Sequence, residues 1–249
     1  MLKEPALKEE EKPYWNFFLS HNLWKTGYAP VCKSQDSNSP KVSKFGGSCP
    51  HLPQDSRPIC KSCNGHLEVL LQLYIPSLPA PVKQLFPENL QNSLIVFTYC
   101  TECMSSNEED SISWNVYNES DFGNLVFDSP PSEAKIEPAV IESWQAFKSI
   151  DGSTEHYYST FQNQKGDLDD LKMEDFVREL KENYAGTTYL LGNPDFTEGE
   201  YQPEPGMVIL ASFAQDKAFS MMWGDAGYAH LWMKPGNDFG EFNLFWTCG

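Results

Sequence analysis

Two C-x-x-C pairs constrain the fold more than any other feature of this sequence. Cys60 and Cys63 stand just before the apolar run HLEVLLQLYI, while Cys100 ends the run NSLIVFTYC and Cys103 follows three residues later. Each pair predicts a tight knuckle that offers two sulfurs from one turn, and a tetrahedron of four thiolates is a preferred shell for structural zinc. The 36 residues between the pairs are typical of strand, loop and strand, which would return the chain to the first knuckle. The sequence therefore predicts one structural zinc ion bound by all four cysteines.

Two other interpretations of these cysteines are free buried thiols and a redox centre. A thioredoxin-like C-x-x-C opens a helix in a βαβ unit, and neither pair stands in such a context. His66, just beyond the first pair, is an alternative ligand, whereas Cys32, Cys49 and Cys248 lack partner spacing and are interpreted as small hydrophobic residues. Four protein ligands leave no open position for water or substrate, so the predicted zinc is structural rather than catalytic.

The cysteine count and the N-terminal sequence indicate the cellular compartment of the protein. Seven cysteines, an odd number in which two pairs have metal spacing, fit a reducing compartment better than a disulfide framework. The N-terminal MLKEPALKEEEKPYW has charges where a signal peptide needs an apolar segment. No apolar run approaches the roughly 20 residues that a membrane span requires. These features predict a cytoplasmic protein that does not associate with membranes.

The net charge of -17 is concentrated in the second part of the chain. Residues 1–100 have 10 Lys/Arg and 8 Asp/Glu, whereas residues 101–249 have 8 Lys/Arg and 27 Asp/Glu. Such a negative field argues against a nucleic-acid partner and favours a basic protein partner, and the alternative is a merely solubilising surface. The segment DFTEGEYQPE is the candidate contact region because it combines charge with aromatic anchors. Its predicted contact residues are Asp195, Phe196, Glu198, Glu200, Tyr201 and Glu204.

Short apolar runs separated by Gly and Pro dominate the remaining pattern. Strand candidates are HLEVLLQLYI, NSLIVFTYC, GMVILASFA, KAFSMMWG, AHLWMK and FNLFWTCG. One convincing helical register, DLDDLKMEDFVRELKENYAG, places its apolar residues near one face and ends before Gly186. Those apolar residues are Leu168, Leu171, Phe176, Val177 and Leu180. The sequence predicts an α+β fold of mostly antiparallel β-sheets with a few helices.

Two segments, one in each half of the chain, show weak internal sequence similarity. FGGSCPHLP followed by LEVLLQLYI is similar in order to LLGNPDF followed by GMVILASFA, although chance is an alternative explanation of two copies. The predicted organisation is an N-terminal arm, residues 1–30, and one domain, residues 31–249. Two related β units, about 31–105 and 185–249, would flank a variable helical middle.

Catalytic motifs are scarce in this sequence. G-x-S-x-G, a Walker loop and a dinucleotide fingerprint are all absent. The polar motif that most suggests catalysis is MMWGDAGYAHLW, in which Asp225 is a candidate base and His230 lies nearby. A hairpin turn over residues 224–227 explains the same residues, and this interpretation is favoured.

The ordered set KFGG, PICKSCNGHLEVLLQLYIPSLP, IVFTYCTEC, LLGNPDF, MMWGDAGYAHLW and FNLFWTCG resembles the YwqG-like family, a domain of unknown function. The likeness runs from about Lys44 to the C-terminus. It implies a single α+β domain with an internal duplication and no established enzyme activity, and bacterial members occur in settings suggestive of toxin–immunity systems. The residues that match the family motifs are Gly46, Gly47, Gln72, Gly192, Pro194, Trp223, Gly224, Asp225 and Gly227.

A more distant resemblance links residues 44–103 to the programmed cell death 2 proteins, which escort a basic ribosomal protein.

Three functional hypotheses follow from the sequence. The first is a non-catalytic, zinc-stabilised binding module for a basic protein, acting as a chaperone, adaptor or immunity factor. The second is an enzyme with a site around Asp225 and His230, and the third is a scaffold component of a larger assembly.

Overall fold

The computed structural model of the protein describes most of the chain. The described residues are 7–103, 112–150, 154–182, 184–193, 204–215, 221, 223, 227–236 and 239–247.

Twelve strands and four helices make up the described structure. The strands are β1 (Trp24–Ser34), β2 (Ser43–Phe45), β3 (Cys49–His51), β4 (Glu68–Tyr74), β5 (Leu94–Tyr99), β6 (Ile112–Tyr117), β7 (Val126–Asp128), β8 (Ala139–Ile150), β9 (Tyr189–Leu191), β10 (Val208–Ala214), β11 (Tyr228–Met233) and β12 (Phe242–Thr247). The helices are α1 (Lys12–Ser20), α2 (Ala80–Lys83), α3 (Thr154–Gln164) and α4 (Asp170–Glu182). The expected α+β class with mostly antiparallel strands is confirmed.

Ten of the strands form one antiparallel sheet in the order β12-β11-β10-β9-β1-β8-β2-β4-β5-β6. The long strands β1 and β8 lie at its centre and pair along their whole length, from Trp24 opposite Ile150 to Ser34 opposite Ala139. The expected boundary between an arm and a domain, at residues 30 and 31, therefore lies inside a central strand. The two remaining strands, β3 and β7, form a small separate sheet.

The two ends of the ten-stranded sheet share one hydrophobic core. Residues from β4 and β5 and residues from β10 and β11 belong to the same buried cluster. Phe242 on β12 lies 4.8 Å, between ring centroids, from Phe97 on β5 and 5.0 Å from Trp114 on β6. The sheet is thus folded over so that both of its edges contribute aromatic side chains to one core.

A second hydrophobic cluster lies between the helices and the central strands. Phe17 and Phe18 of α1 and Phe176 of α4 are buried in it together with Phe147 of β8. Helix α4 confirms the helical register expected from the sequence, but the expected apolar face is wrong at Leu171, which is 72% exposed. Met173 is buried on α4 instead, because residues three and four apart share a helix face and residue 173 aligns with residues 176, 177 and 180.

Helices α1 and α3 were not expected from the sequence. Each has only a short apolar pattern, and their helical state is supported by packing against the strands rather than by local periodicity. Of the strand candidates, KAFSMMWG lies outside the described residues except for Met221 and Trp223, which are both buried.

The glycine pair after β2 is required by its surroundings. Gly46 and Gly47 have φ angles of +54° and +75°, a region that residues with a Cβ atom rarely adopt. A Cβ atom on Gly46 would lie 2.4 Å from the carbonyl oxygen of Ile136, and one on Gly47 would lie 2.1 Å from Oδ1 of Asp36. The turn between β2 and β3 is therefore non-helical.

Candidate metal centre

An isolated antiparallel bridge between Ile59 and His66 encloses the first knuckle. The N–H of Cys60 donates to the carbonyl of Gly65 over 2.8 Å, and the N–H of Asn64 donates to the carbonyl of Cys60 over 2.9 Å. Asn64 has a φ angle of +59°, the left-handed conformation that the Asn-Gly sequence favours. These bonds close a tight loop that carries Cys60 and Cys63 on one side.

The second knuckle comes directly after β5. Its Cys103 N–H donates to Sγ of Cys100 over 3.4 Å, and in the first knuckle the Gly65 N–H donates to Sγ of Cys63 over the same distance. Because β4 and β5 are paired from Glu68 opposite Tyr99 onward, the two knuckles lie side by side at one end of this hairpin. Strand pairing therefore brings the four cysteines together.

The four sulfurs have the spacing of a tetrahedral thiolate site. All four Sγ atoms lie within 4.8 Å of one another. Sγ of Cys60 is 3.7 Å from that of Cys103, and Sγ of Cys63 is 3.6 Å from that of Cys100. Metal–sulfur bonds of about 2.3 Å in a tetrahedron place the sulfurs about 3.8 Å apart. The donor set and its geometry fit a divalent metal ion with four thiolate ligands.

The protein environment favours ionisation at one end of the cluster. Burial opposes ionisation of Cys60, but backbone N–H groups of Cys63 and Ser62 donate to its sulfur, and its pKa is lowered to about 7. Burial raises the pKa of Cys100, and contacts with Cys63 and the other neighbouring thiols raise that of Cys103. A cation bound here would supply the positive charge that favours the thiolate form of all four sulfurs.

Buried Glu68 ties the second knuckle to the segment before β8. Its carboxylate accepts the N–H groups of Lys135 and Ile136, each over 2.9 Å, and the hydroxyl of Thr101. Lys135 also donates through Nζ to the carbonyl of Thr101 over 3.0 Å and forms a 3.2 Å ion pair with Glu102. The second knuckle is therefore bonded both to the start of β4, through Glu68, and to the segment before β8, through Lys135.

Arg57 supports the first knuckle in a similar way. Its guanidinium is buried and donates to the carbonyl of Leu67 over 3.1 and 3.3 Å and to the carbonyl of Ser129 over 2.6 Å. Sequence reasoning missed both Arg57 and Glu68, since a charged residue beside a turn has no local mark that distinguishes burial from exposure. The one available signal was a charge at the start of a strongly apolar strand, EVLLQLY.

The other residues considered as ligands lie apart from the cluster. Among the described residues, the group that could hold a metal consists of the four cysteines alone. His66 is exposed and is not one of them. Cys49 is buried in a separate apolar cluster, and burial raises its pKa to about 11. Cys32 packs against the main core, and Cys248 lies outside the described residues.

Most of the candidate partner-binding loop lies outside the described residues. This applies to Asp195, Phe196, Glu198, Glu200 and Tyr201, and also to the motif residue Pro194. Glu204 is described: it is exposed and forms a 3.4 Å ion pair with Lys234, which also pairs with Glu241. Glu204 thus lies on the surface beside the end of β11.

The proposed enzymatic residues are only partly described. Gly224 and Asp225 lie outside the described residues, whereas Gly227 donates its N–H to the carbonyl of Trp223 over 2.9 Å. His230 is fully buried, and its Nδ1 lies 3.0 Å from the hydroxyl of Ser212, which is also fully buried. The Ser212–His230 pair is therefore buried from solvent in the described structure.

The remaining described motif residues include Gln72, Gly192 and Trp223. Gln72 is fully buried, and its amide donates to the carbonyls of Val42 and Ser39 over 2.8 and 3.2 Å. Gly192 has a φ angle of +79°, and a Cβ atom there would lie 2.9 Å from the hydroxyl of Ser149. Trp223 is fully buried and lies 5.4 Å, between ring centroids, from Tyr99.

Residues 43–248 match the family model described as Domain of unknown function (DUF1963). The chain belongs to this family. The match begins at β2 and covers both knuckles, the central strand β8 and the strands β9–β12, so the DUF1963 region contains the whole candidate metal centre. No curated protein is detectably similar to the chain. In the described part of this DUF1963 protein, the helices lack the length and apolar character needed to cross a membrane.

Proposed function

We propose that this DUF1963 protein is a non-catalytic, zinc-stabilised module that binds a basic protein. The observation that carries the proposal is the closed Cys60, Cys63, Cys100 and Cys103 cluster in a chain with strongly negative charge. A zinc ion bound there would supply a structural crosslink between the ends of β4 and β5. The four sulfurs fill a tetrahedral shell, so the site serves stability and shape rather than turnover.

Charge on the described surface supports a basic partner. Helix α4 and the turn before it present six exposed acidic residues beside two exposed basic ones, Lys172 and Arg178. The acidic residues are Asp167, Asp169, Glu174, Asp175, Glu179 and Glu182. A field of this sign steers cationic partners and raises the rate of encounter, while apolar and aromatic contacts set specificity. We assign the specific contact to the loop from Asp195 to Glu204.

We also propose that the fold contains two related β units, as the resemblance to the YwqG-like family implies. Strands β4 and β10 both have seven residues, and each has a bulge after its second residue, at Val69/Leu71 and at Ile209/Ala211. Each begins a three-stranded antiparallel meander whose second and third strands have six residues. This regularity supports the duplication of residues 31–105 and 185–249, with the first meander continuing past residue 105 to β6.

Side-chain hydrogen bonds support the same correspondence. The hydroxyl of Ser43 accepts the N–H of Tyr74 over 3.0 Å, and the hydroxyl of Thr188 accepts the N–H of Ala214 over 3.1 Å. One residue further on, Nζ of Lys44 donates to the carbonyl of Ser48, and the hydroxyl of Tyr189 donates to the carbonyl of Asn193. Both bonds span four residues across a turn that contains consecutive positive φ angles.

The biological role within this proposal is that of a cytoplasmic chaperone, adaptor or immunity factor. The scaffold hypothesis differs in its prediction, because a structural component of an assembly would stay bound at high salt.

Capture of partners by the full-length protein across a salt series tests the proposal. We expect a basic protein to be retained at low salt and released as salt rises, since screening weakens long-range attraction. A variant with Glu198→Gln, Glu200→Gln and Glu204→Gln should associate with that partner more slowly and with a flatter salt dependence. Glu174→Gln with Glu179→Gln on α4 is the matched control and should change association less.

Two results would contradict the proposal. Association of the identified partner at an unchanged rate with the triple variant at low salt would exclude the loop as the contact. Reproducible turnover of a small molecule that is abolished by Asp225→Ala would exclude a non-catalytic function. Retention of the partner at high salt would instead support a scaffold component.

A further inference from the structure

A cavity of about 520 Å³ lies between the first residues of β1 and the first residues of β10. Its lining, which also includes Pro81 and Leu85 from the segment after β4, contains no residue of either cysteine knuckle. Pockets of about 300–1,000 Å³ with apolar walls and few polar groups are typical of small-molecule sites. The lining includes Trp24, Lys25, Tyr28, Leu191, Val208 and Trp232.

The corresponding place in the first β unit is closed by a carboxylate. In the first unit Phe45 pairs with Ala139, and in the second unit Leu190 pairs with Tyr28 at the corresponding position. Ile136, three residues before Ala139, therefore corresponds to Lys25, three residues before Tyr28. In the first unit Glu68, the first residue of β4, bridges this gap by accepting the N–H of Ile136.

The described residues of the second unit do not form that bridge. The first residue of β10, which corresponds to Glu68, is Val208, and its side chain has no acceptor for the chain at Lys25. Val208 and Lys25 both line the cavity. Among the described residues, the second unit therefore has an open space where the first unit has a buried carboxylate.

The walls of the cavity are suited to an apolar body. Trp24, Tyr28 and Trp232 contribute aromatic surface, and Leu191 and Val208 contribute aliphatic surface. The Trp24 ring is held in place by Lys148, whose Nζ lies 4.8 Å from the ring centroid and 4.7 Å from that of Trp15. Leu191 has a φ angle of +55°, an uncommon conformation for a residue with a Cβ atom and one that clusters at ligand sites.

Lys25 provides the charge complementarity. Among the described residues that line the cavity, it is the one with a charged side chain, and the described part of the chain offers it no ion pair. A ligand with an apolar body and one negative group would match both the aromatic walls and this ammonium group. A carboxylate is the group that the first unit itself uses at the corresponding position.

We propose that this cavity binds a small amphipathic carboxylate, with its apolar body against Trp24, Tyr28 and Trp232 and its carboxylate at Lys25. The ligand occupies the position that Glu68 fills in the first unit. This site is separate from the proposed protein-binding loop, although the comparison with Glu68 relies on the correspondence of the two β units.

Displacement of a fluorescent probe tests the site in the full-length protein. The probe is 1-anilinonaphthalene-8-sulfonate, an aromatic anion that fluoresces in apolar surroundings, and the competitors are decanoate and decanol. We expect decanoate to displace the probe at about tenfold lower concentration than decanol, as a single charged contact worth about 1.4 kcal/mol gives. Equal displacement by both competitors, or displacement by neither, would overturn the proposal.

Two substitutions place the ligand in the cavity. Lys25→Met keeps the aliphatic stem and should abolish the preference for decanoate, whereas Lys33→Met, at an exposed position further along β1, should preserve it. Val208→Glu introduces the carboxylate that the first unit has and should prevent displacement by decanoate. An unchanged preference for decanoate over decanol in Lys25→Met would overturn the assignment. Because Lys25 is exposed, this variant should fold, so it tests the proposal even if Val208→Glu does not fold.

Discussion

At the scale of single residues, the most unusual feature is the fully buried ammonium group of Lys44. Its Nζ forms a 2.7 Å ion pair with Asp36 and donates to the carbonyls of Ser37 and Ser48 over 2.9 and 2.8 Å. Asp36 accepts in turn the N–H and the hydroxyl of Ser48 over 2.8 and 2.6 Å. All three donors of the ammonium group are satisfied, so this network positions the turn at Gly47 rather than performing chemistry.

Asp36 should give the protein an acid-sensitive stability. Burial raises the pKa of its carboxyl group, but the hydrogen bonds from Lys44 and Ser48 outweigh burial, and the net pKa lies below the ordinary value. Because the folded pKa is lower than the unfolded value of about 4, the carboxylate stabilises the fold above that pH. This contribution is lost as the pH falls through the folded pKa.

We therefore expect Asp36→Asn to flatten the fall in the free energy of unfolding between about pH 5 and pH 3. At pH 7 the variant should be less stable by about 2 kcal/mol, because it leaves the Lys44 ammonium buried without a counter-charge while partial exposure of the site reduces the cost. Denaturant unfolding at several pH values measures both effects. Asp55→Asn, at an exposed position, is the control. Equal acid sensitivity in Asp36→Asn and the wild type would contradict the role of this carboxylate.

At the scale of elements, the knuckles end the hairpin that β4 and β5 form. Each knuckle is a short loop with few apolar contacts of its own, since Cys60, Leu67 and Cys100 form a small separate cluster. Without a cation, this end of the hairpin would rely on the hydrogen bonds that Glu68 and Arg57 make. A metal ion bound by all four thiolates would add a direct crosslink between the two knuckles.

Protein purified without added metal should contain one zinc ion per chain by elemental analysis. Cys63→Ser should lose the zinc and lower the free energy of unfolding by several kcal/mol, because structural metal binding is coupled to folding. Cys32→Ser, which changes a cysteine outside the cluster, should keep the zinc. A folded wild-type protein that lacks metal, or a Cys63→Ser variant with full zinc content, would refute the assignment.

At the scale of the whole molecule, the long pair of β1 and β8 joins the two halves of the sheet. Each of these strands is bonded to its partner along its length and also to a shorter strand, β9 or β2, on its other side. The sheet ends at β6 and β12, which have one neighbouring strand each. Loss of the central pair would break the sheet between the two meanders, which would then be joined by their shared core alone, whereas fraying at an edge would leave the sheet continuous.

Hydrogen exchange should follow this arrangement. We expect the amides shared by β1 and β8 to exchange only on global unfolding, whereas unpaired amides on the outer sides of β6 and β12 exchange by local opening. Exchange of backbone amides measured by mass spectrometry on peptides from each strand tests this order. The middle strands β5 and β11 are the internal comparison, with protection between the two extremes. Faster exchange in β8 than in β6 would contradict the central role of this pair.

Local patterns in the sequence were sufficient for features that depend on neighbouring residues. Alternation and apolar runs predicted β4, β5, β10, β11 and β12, and helical periodicity predicted α4. The spacing of the C-x-x-C pairs predicted which cysteines meet, because a knuckle is a local turn and a hairpin returns the chain to it. The identity of the metal and of the partner remains a prediction.

Contacts between distant residues were decided only by the tertiary structure. The pairing of β1 with β8 joins segments more than 100 residues apart, and no local pattern encodes such a partner. The same reason applies to charged residues: Lys44, Arg57 and Glu68 are buried because partners from other segments satisfy them. Leu171 is exposed because α4 presents a different face to the strands than its apolar pattern suggested. The local sequence determines which secondary structure each segment prefers, whereas the burial of a side chain depends on which segments pack together.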